Sequence, residues 1–347
     1  MIIGFDASRA FVAQRTGTEN YSYHLLTHLL QVDRKNAYKI YLRLPPEVVR
    51  TKESIKIWLS NVINGLPKTN NFRLILIRNR KFWTQIGLAS ELWRHPPNVL
   101  FIPAHTLPYI RRKSIKTVVA IHDLGYEYLP QYHQFPHRLW LNQSTEYAVK
   151  HARKLIAVSE ATRDDLLSKL QAEEQKITVI YEGVGGKLDP ATVSLTHIDQ
   201  ARTKYSVMDP FVLFVGTIQP RKNLVRLIQS FDLVLKDELV NSMYPKLKLV
   251  FIGKKGWLYA PIVEEPSRLG IEGRVEFLGH VSDSDTVALM KGAHCFAFPS
   301  LFEGFGLPIL DSQAYGTPVV TSNKKPMTEV GGAACEYVDP LSIESIA

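Results

Sequence analysis

The sequence predicts two doubly wound α/β domains in tandem, each built on a parallel sheet, and three observations carry that expectation. Short apolar runs of strand length alternate with amphipathic stretches through the first half of the chain, the pattern of strands joined by helices. Every periodic pattern breaks at Gly183-Val184-Gly185-Gly186, and a second series of the same kind begins beyond the break. Residues able to do chemistry fall just after the predicted strands, where parallel sheets bind their ligands. With 347 residues and 45% hydrophobic composition, the chain is long enough for two cores of ordinary domain size.

In the first series the expected strands are Ile2–Phe5, Tyr38–Leu44, Phe72–Ile77, Val99–Ile102, Thr117–Ile121, Leu155–Val158 and Ile177–Ile180. Thr18 is placed to cap a helix in which Tyr21, Leu25, Leu26, Leu29 and Leu30 recur at helical spacing and form one buried stripe. Ser159 ends a strand and caps a second helix from Glu160 to Leu170. The Gly-rich break and the polar stretch through Asp189-Pro190 to His197 have the composition of a linker. The expected organisation is therefore a first domain over 1–185, a linker over 186–200 and a second domain over 201–347. Strands of the second series are expected at Phe211–Val215, Leu247–Ile252, Val275–Leu278, Cys295–Phe298 and Val319–Thr321. Two sheets of this kind would turn their carboxyl ends toward one crevice between the domains.

Bulk properties remove several classes. No apolar run approaches the roughly 20 residues of a membrane span. The N-terminus meets Asp6 after a few apolar residues and lacks the basic start and long apolar stretch of a secretory signal, so a cytoplasmic protein is expected. Cys295 and Cys335 sit among apolar or small residues without metal-ligand spacing and are expected to be buried free thiols. The net charge of +9 suits an acidic partner, whether nucleic acid, anionic lipid or a phosphorylated substrate. Part of the excess is concentrated at Arg78, Arg80 and Lys81 before Phe82-Trp83, and at Arg111-Arg112-Lys113 with Lys116, which fits either a solvated surface or a patch for an anionic membrane.

Two constellations follow strands of the second domain. After Phe211–Val215 comes Gly216-Thr217-Ile218-Gln219-Pro220-Arg221-Lys222-Asn223, opening a helix near Asn223. A glycine admits a ligand close to backbone, a helix start offers free N–H groups, and two adjacent cations suit a diphosphate. Both cations are expected on a solvent-facing loop. After Cys295–Phe298 comes Pro299-Ser300-Leu301-Phe302-Glu303-Gly304-Phe305-Gly306-Leu307-Pro308, and Asp311 follows about two turns along the next helix. Exposed amides at the glycines with two carboxylates eight positions apart make a pocket for an anion or a polar sugar. Asp283-Ser284-Asp285 mimics a metal-binding acid pair, but it sits where a helix needs a cap and first-turn acids. His122-Asp123 has no third ligand at suitable spacing, so no metal site is expected.

Taken together, Gly216-Thr217 with Arg221-Lys222-Asn223, Glu303-Gly-Phe-Gly-Leu-Pro with Asp311, and Gly316-Thr317-Pro318-Val319-Val320 resemble the donor-binding half of glycosyltransferase family 4, the retaining group 1 enzymes of GT-B fold. The first domain agrees through Gly17-Thr18, Ile121-His122-Asp123-Leu124 and Ala157-Val158-Ser159-Glu160-Ala161-Thr162, so the resemblance covers nearly the whole chain. It implies an N-terminal acceptor-binding domain and a C-terminal nucleotide-sugar-binding domain. Carried over by position, it implies that Arg221 and Lys222 bind the donor diphosphate, with Gly17, Gly216 and Thr217 close to it. Glu303 would touch the transferred sugar, and His122 would line the sugar pocket near the reacting carbon. Gly304, Phe305, Gly306 and Leu307 would hold sugar hydroxyls or phosphate, Asp311 the ribose, and the Val281 backbone the base.

Two departures stand out. The family usually carries glutamate where this chain has Asp311, and its members generally continue beyond the region of Val338-Asp339-Pro340, so a truncated C-terminus is expected. The resemblance further implies that no metal or cofactor is needed, the nucleotide-sugar being a substrate, and that nucleic acid is not a partner. The Gly4-Phe5-Asp6-Ala7 start and the His122 region favour the mannosyltransferase-like branch and GDP-mannose, with UDP- and dTDP-sugars open. A glycan or lipid-linked acceptor and a peripheral position at the inner face of an anionic membrane would suit the basic surface. A nucleotide-sugar epimerase of the same fold and a non-catalytic nucleotide-sugar binding protein are the competing readings.

Overall fold

A computed structural model of the chain describes residues 1–13, 15, 17–49, 51–79, 81–128, 137–184 and 192–347. The chain divides into two compact units, Met1–Asp123 with Phe135–Glu182, and Leu124–Gln134 with Gly183–Ala347.

The first unit holds a seven-stranded, all-parallel sheet of β1 (Ile2–Asp6), β2 (Ala37–Arg43), β3 (Phe72–Ile77), β4 (Val99–Ile102), β5 (Lys116–Ile121), β6 (Lys154–Ala157) and β7 (Ile177–Val179), in the order β3-β2-β1-β4-β5-β6-β7. Its helices are α1 (Gly17–Val32), α2 (Lys52–Asn64), α3 (Ala89–Arg94), α5 (His137–His151) and α6 (Glu160–Leu170), while α4 (Gly125–Tyr128) groups with the second unit. A single turn of π-helix, Trp83–Leu88, leads into α3. The apolar stripe of α1 works as its spacing predicts: Leu26 and Leu30 are fully buried beside Phe5 and Ile40, with Leu25 and Leu29 packed at the edge of that cluster. Burying side chains of this size contributes about 1.5–3 kcal/mol each. Ser159 caps α6, its hydroxyl accepting from the Thr162 N–H at 3.0 Å.

The second unit repeats the plan with six parallel strands, β8 (Phe211–Val215), β9 (Lys248–Ile252), β10 (Val275–Gly279), β11 (Cys295–Phe298), β12 (Val319–Ser322) and β13 (Cys335–Val338), in the order β10-β9-β8-β11-β12-β13. They are covered by α7 (Leu195–Lys204), α8 (Leu224–Lys236), α9 (Glu238–Met243), α10 (Ala260–Leu269), α11 (Asp283–Gly292), α12 (Leu307–Ala314), α13 (Met327–Gly331) and α14 (Ile343–Ile346). Phe211, Phe214, Phe251, Phe296 and Phe298 fill the core, with the Phe214 and Phe298 rings stacked at 5.9 Å. In both sheets the strand order reverses at one place, between β1 and β4 and between β8 and β11, and the loops after those strands are where a sheet of this kind takes its ligand.

Several local expectations change. α1 starts at Gly17, so Thr18 lies in the first turn instead of capping it. Residues 186–191 of the expected linker lie outside the described residues, and from Leu195 the remainder is helix α7, capped by Ser194 accepting from the His197 N–H at 3.1 Å. Leu44, Val158 and Ile180 fall just outside their strands. β13 was not expected: four residues with one acid among them, after a run of small residues, give too short a period-2 signal, and pairing with β12 makes the strand. Asp283-Ser284-Asp285 opens α11 as anticipated, with Ser282 capping and Asp285 bound by Lys204 and Tyr205. Cys295 and Cys335 are free thiols but half-buried as residues, and burial pushes the Cys295 thiol up to about 11.

Candidate active site

In the second unit, the two loops that flank the strand-order reversal carry the charged residues. Backbone hydrogen bonds lace the strand ends together: Gly216 N–H to Ile252 O at 2.8 Å, Ile218 N–H to Lys254 O at 2.9 Å and Gly253 N–H to Gly279 O at 2.8 Å. The lacing requires glycine at 253, where φ is +144° and a Cβ would stand 2.0 Å from the Gly216 carbonyl oxygen. Thr217 continues that loop and is half-buried. A 3₁₀ turn over Pro220–Lys222 then delivers both cations. Asn223, left-handed at φ +62°, takes the N-cap position of α8 without a capping side-chain bond. Its amide instead donates to Pro299 O at 3.0 Å and Pro340 O at 2.7 Å, which ties the β8 loop to the β11 loop.

The β11 loop answers with Glu303. Arg221 Nη1 donates to Glu303 Oε2 at 2.7 Å and to Phe302 O at 2.6 Å, and Lys222 Nζ donates to Glu303 Oε1 at 2.6 Å. The Lys222 ammonium also lies 4.8 Å from the Phe298 ring centroid. Lys222 and Glu303 are each 8% exposed and Arg221 is half-buried, which corrects the expectation that both cations sit on a solvent-facing loop. The physical reason is the carboxylate: a buried acid needs partners, and the adjacent cations supply them. Burial alone would push the Glu303 carboxyl up, but the charges of Arg221 and Lys222 and the Lys222 hydrogen bond outweigh it and hold the group below the usual glutamate range.

Beyond Glu303, the segment Gly304-Phe305-Gly306 is buried and runs into α12. Gly306 stands at the N-cap with φ +112°, and Leu307 and Pro308 form the first turn, so this helix start belongs to the same loop. Asp311 is 8% exposed in the second turn of α12, one turn from its start rather than two. Val281 follows β10, packs into the core and precedes the capped start of α11. Arg221, Lys222, Glu303, Gly216, Thr217, Gly304, Phe305, Gly306, Leu307 and Asp311 are thus brought onto two neighbouring loops and one helix, with Val281 two strands away.

In the first unit, His122 immediately follows β5 and is buried. Its Nε2 lies 2.7 Å from Pro103 O, at the end of the neighbouring β4, and its Nδ1 lies 3.1 Å from Glu182 Oε1, beyond the end of β7. Thr162 Oγ1, itself held by the Ser159 cap, donates to His122 O at 3.1 Å, so the Ser159–Thr162 pair steadies the histidine backbone as well as the helix. The His122 N–H donates to His105 Nε2 at 3.4 Å, and Tyr21 from α1 meets the ring edge-on at 4.6 Å. Gly17, exposed at the start of α1, is one turn from Tyr21, and a Cβ there would touch nothing within 4 Å. Glu182 was missed in the sequence, although it carried the same signal as the others, a chemically able residue just after a strand.

Comparisons with known proteins bear on family and fold. Residues 15–185 match the family model described as Glycosyltransferase Family 4, and residues 198–340 match that described as Glycosyl transferases group 1. Among relatives, the O-antigen chain mannosyltransferase B of Escherichia coli is 28% identical over 243 residues, 69% of this chain and 61% of that protein. The O-antigen chain mannosyltransferase RfbU of Salmonella typhimurium is 23% identical over 94% of this chain and 83% of the relative. The chain spans 29% of the length of the serotype-specific mannosyltransferase WbdA of Escherichia coli, to which it is 27% identical over 253 residues. In fold, Anabaena HepE in complex with UDP and glucose matches over 100% of this chain and 88% of its own, with TM-score 0.68 at 17% identity. WaaG, a glycosyltransferase of lipopolysaccharide biosynthesis, matches over the same shares with TM-score 0.69 at 17% identity. Two parallel-sheet units with these loops, and two family models that between them run from residue 15 to residue 340, make the chain a member of glycosyltransferase family 4, the group 1 glycosyl transferases of GT-B fold.

Proposed function

We propose that the protein transfers a hexosyl residue from a nucleotide-sugar donor to a glycan or lipid-linked acceptor, with retention at the anomeric carbon and without a metal ion. The observation that carries this reading is the buried Arg221–Glu303–Lys222 cluster beside the start of α12, at the strand-order reversal of the second unit. A guanidinium has five N–H donors and an ammonium three, so Glu303 can fix both cations while other N–H groups reach a diphosphate. In this reading residues 201–347 hold the donor and residues 1–185 the acceptor. As the anomeric C–O bond to the diphosphate breaks, the acceptor hydroxyl attacks the same face and passes its proton to the departing phosphate oxygen. Arg221, Lys222 and the N–H groups of Gly304, Phe305 and Gly306 stabilise the negative charge that grows there. Glu303 meets the sugar, and the Val281 backbone meets the base. The names of the relatives favour mannose, and with it GDP-mannose.

The experiment is a donor screen, reading thermal shift and transfer to a lipid-linked or glycan acceptor with GDP-mannose, UDP- and dTDP-sugars. Transfer from one donor, undiminished in excess EDTA, is the expected result. Activity abolished by EDTA and restored by Mn²⁺ or Mg²⁺ would overturn the metal-free mechanism, and an epimerised sugar without transfer would support an epimerase instead.

Asp311 gives a second expectation. If its carboxylate holds the ribose, Asp311→Asn keeps the shape and loses the charge, and donor affinity should fall by about 1.5–3 kcal/mol, the worth of a charged hydrogen bond. Calorimetry with the donor reads it directly. Equal affinities for the wild type and Asp311→Asn would leave the residue a structural one.

A peripheral position at an anionic membrane is part of the same proposal, supported by the surface of the first unit. Phe82 is 71% and Ile110 66% exposed, and Ile86 and Trp93 are exposed beside them. The Gln85 side chain joins this helical segment to the loop of Tyr109, and the Arg112 guanidinium lies 5.7 Å from the Trp93 ring centroid. Exposed Lys81 and Lys113 flank these side chains. Within the described residues, no helix is long and apolar enough to cross a membrane. Binding to vesicles containing phosphatidylglycerol, but not to phosphatidylcholine alone, is expected in a sedimentation assay. Replacing Lys81, Arg112 and Lys113 by Gln should weaken it about fivefold per charge.

A further inference from the structure

The His122 ring has an acceptor at each nitrogen. Pro103 O, 2.7 Å from Nε2, is a carbonyl oxygen and only accepts, so Nε2 carries a hydrogen. Glu182 Oε1, 3.1 Å from Nδ1, is a carboxyl oxygen with a side chain only 8% exposed, facing a ring that is 9% exposed. Two bare lone pairs would repel at that distance, so a proton lies between Nδ1 and Oε1. The surroundings keep that contact in place. Tyr21 covers one edge of the ring from α1, and its hydroxyl is held above the usual tyrosine range, first by burial and then by the Glu182 charge. His105, 5.8 Å away after β4, is held well below the histidine range by burial and by His122, against an opposing pull from Asp123, with Arg9 adding to the downward push. His105 therefore offers His122 a lone pair at its backbone and no competing cation.

We propose that Glu182 is the positioning residue of His122: it holds the ring with a hydrogen on Nε2 and a shared proton at Nδ1, both nitrogens engaged, so that His122 enters the reaction as a fixed hydrogen-bond donor and not as a general base. With no free lone pair, the ring has nowhere to accept the proton of an acceptor hydroxyl, which leaves that proton to the donor phosphate. The part of this inference that concerns transfer rests on the glycosyl-transfer reading, whereas the proton count on the ring does not.

The test begins with the full chain carrying ¹⁵N-labelled histidine, whose His122 signals are identified by their loss in His122→Gln. Hydrogen at both ring nitrogens is expected in the wild type, and at Nε2 alone in Glu182→Gln, which is nearly isosteric. In the transfer assay Glu182→Gln should lower kcat about ten- to hundredfold while changing the donor KM little, and Glu182→Asp should recover part of the loss. A wild-type ring with a single N–H overturns the proposal, as does a second N–H that persists in Glu182→Gln, or an unaltered kcat in that variant. If Glu182→Gln does not fold, the wild-type spectrum and Glu182→Asp decide. Absence of transfer in the wild type, with the two N–H groups present, would count against the glycosyl-transfer reading and leave the Glu182–His122 contact standing.

Discussion

Lys222→Ala is expected to slow transfer and to lower the melting temperature together, a pairing that separates it from an ordinary surface change. Lys222 Nζ is one of two cations on the buried Glu303 carboxylate, at 2.6 Å. Removing one partner of a buried ion pair typically costs about 3–5 kcal/mol, because the other charge is left uncompensated. Arg221 still holds Glu303 Oε2 at 2.7 Å, so the lower end of that range applies. At about 2–4 °C per kcal/mol for a domain of this size, the midpoint should fall by about 10 °C. Loss of one charged contact to the departing diphosphate should add about 1.5–3 kcal/mol to the barrier, roughly 10- to 150-fold in rate. The double variant Lys222→Ala with Glu303→Gln should regain neither stability nor transfer, since it also takes from Arg221 the carboxylate that compensates its charge. Unaltered melting and kinetics in Lys222→Ala would remove the cation cluster from both fold and mechanism.

Gly253→Ala should have an effect of similar size through backbone alone. The added Cβ would stand 2.0 Å from Gly216 O, a backbone atom that cannot swing aside, at a φ of +144° that L residues rarely adopt. Conformational strain costs about 1–3 kcal/mol and overpacking a similar amount, so the variant should lose about 3 kcal/mol or more. The first structure to give way is the Gly216-Thr217 loop, which precedes Arg221 and Lys222. Donor affinity should therefore fall along with stability, by calorimetry and thermal unfolding on the same sample. Gly273→Ala makes the control, because a Cβ there meets nothing within 4 Å. Equal melting temperatures for the two variants would show that the close approach carries no strain.

Parallel strands buried on both faces read as continuous apolar runs, so Phe211–Val215 and Cys295–Phe298 were visible in the sequence with their bounds intact. Helix α6 was visible from Ser159 because a capping hydroxyl is a local signal. The edge strand β13 was not, because its strandedness comes from β12 and not from its own four residues.

By itself the sequence determined the fold class, the family, and the rule that the working residues stand just after strands, since each follows from local periodicity or from motifs contiguous in the chain. Tertiary structure alone decided which of those residues meet. Glu303 lies 82 positions from Arg221 and Glu182 lies 60 from His122, and no periodicity reaches across such distances. Strand order does so by placing β8 beside β11 and β5 close to β7. It also decided that Lys222 is buried, for burial of a cation depends on a carboxylate arriving from elsewhere in the fold to compensate its desolvation.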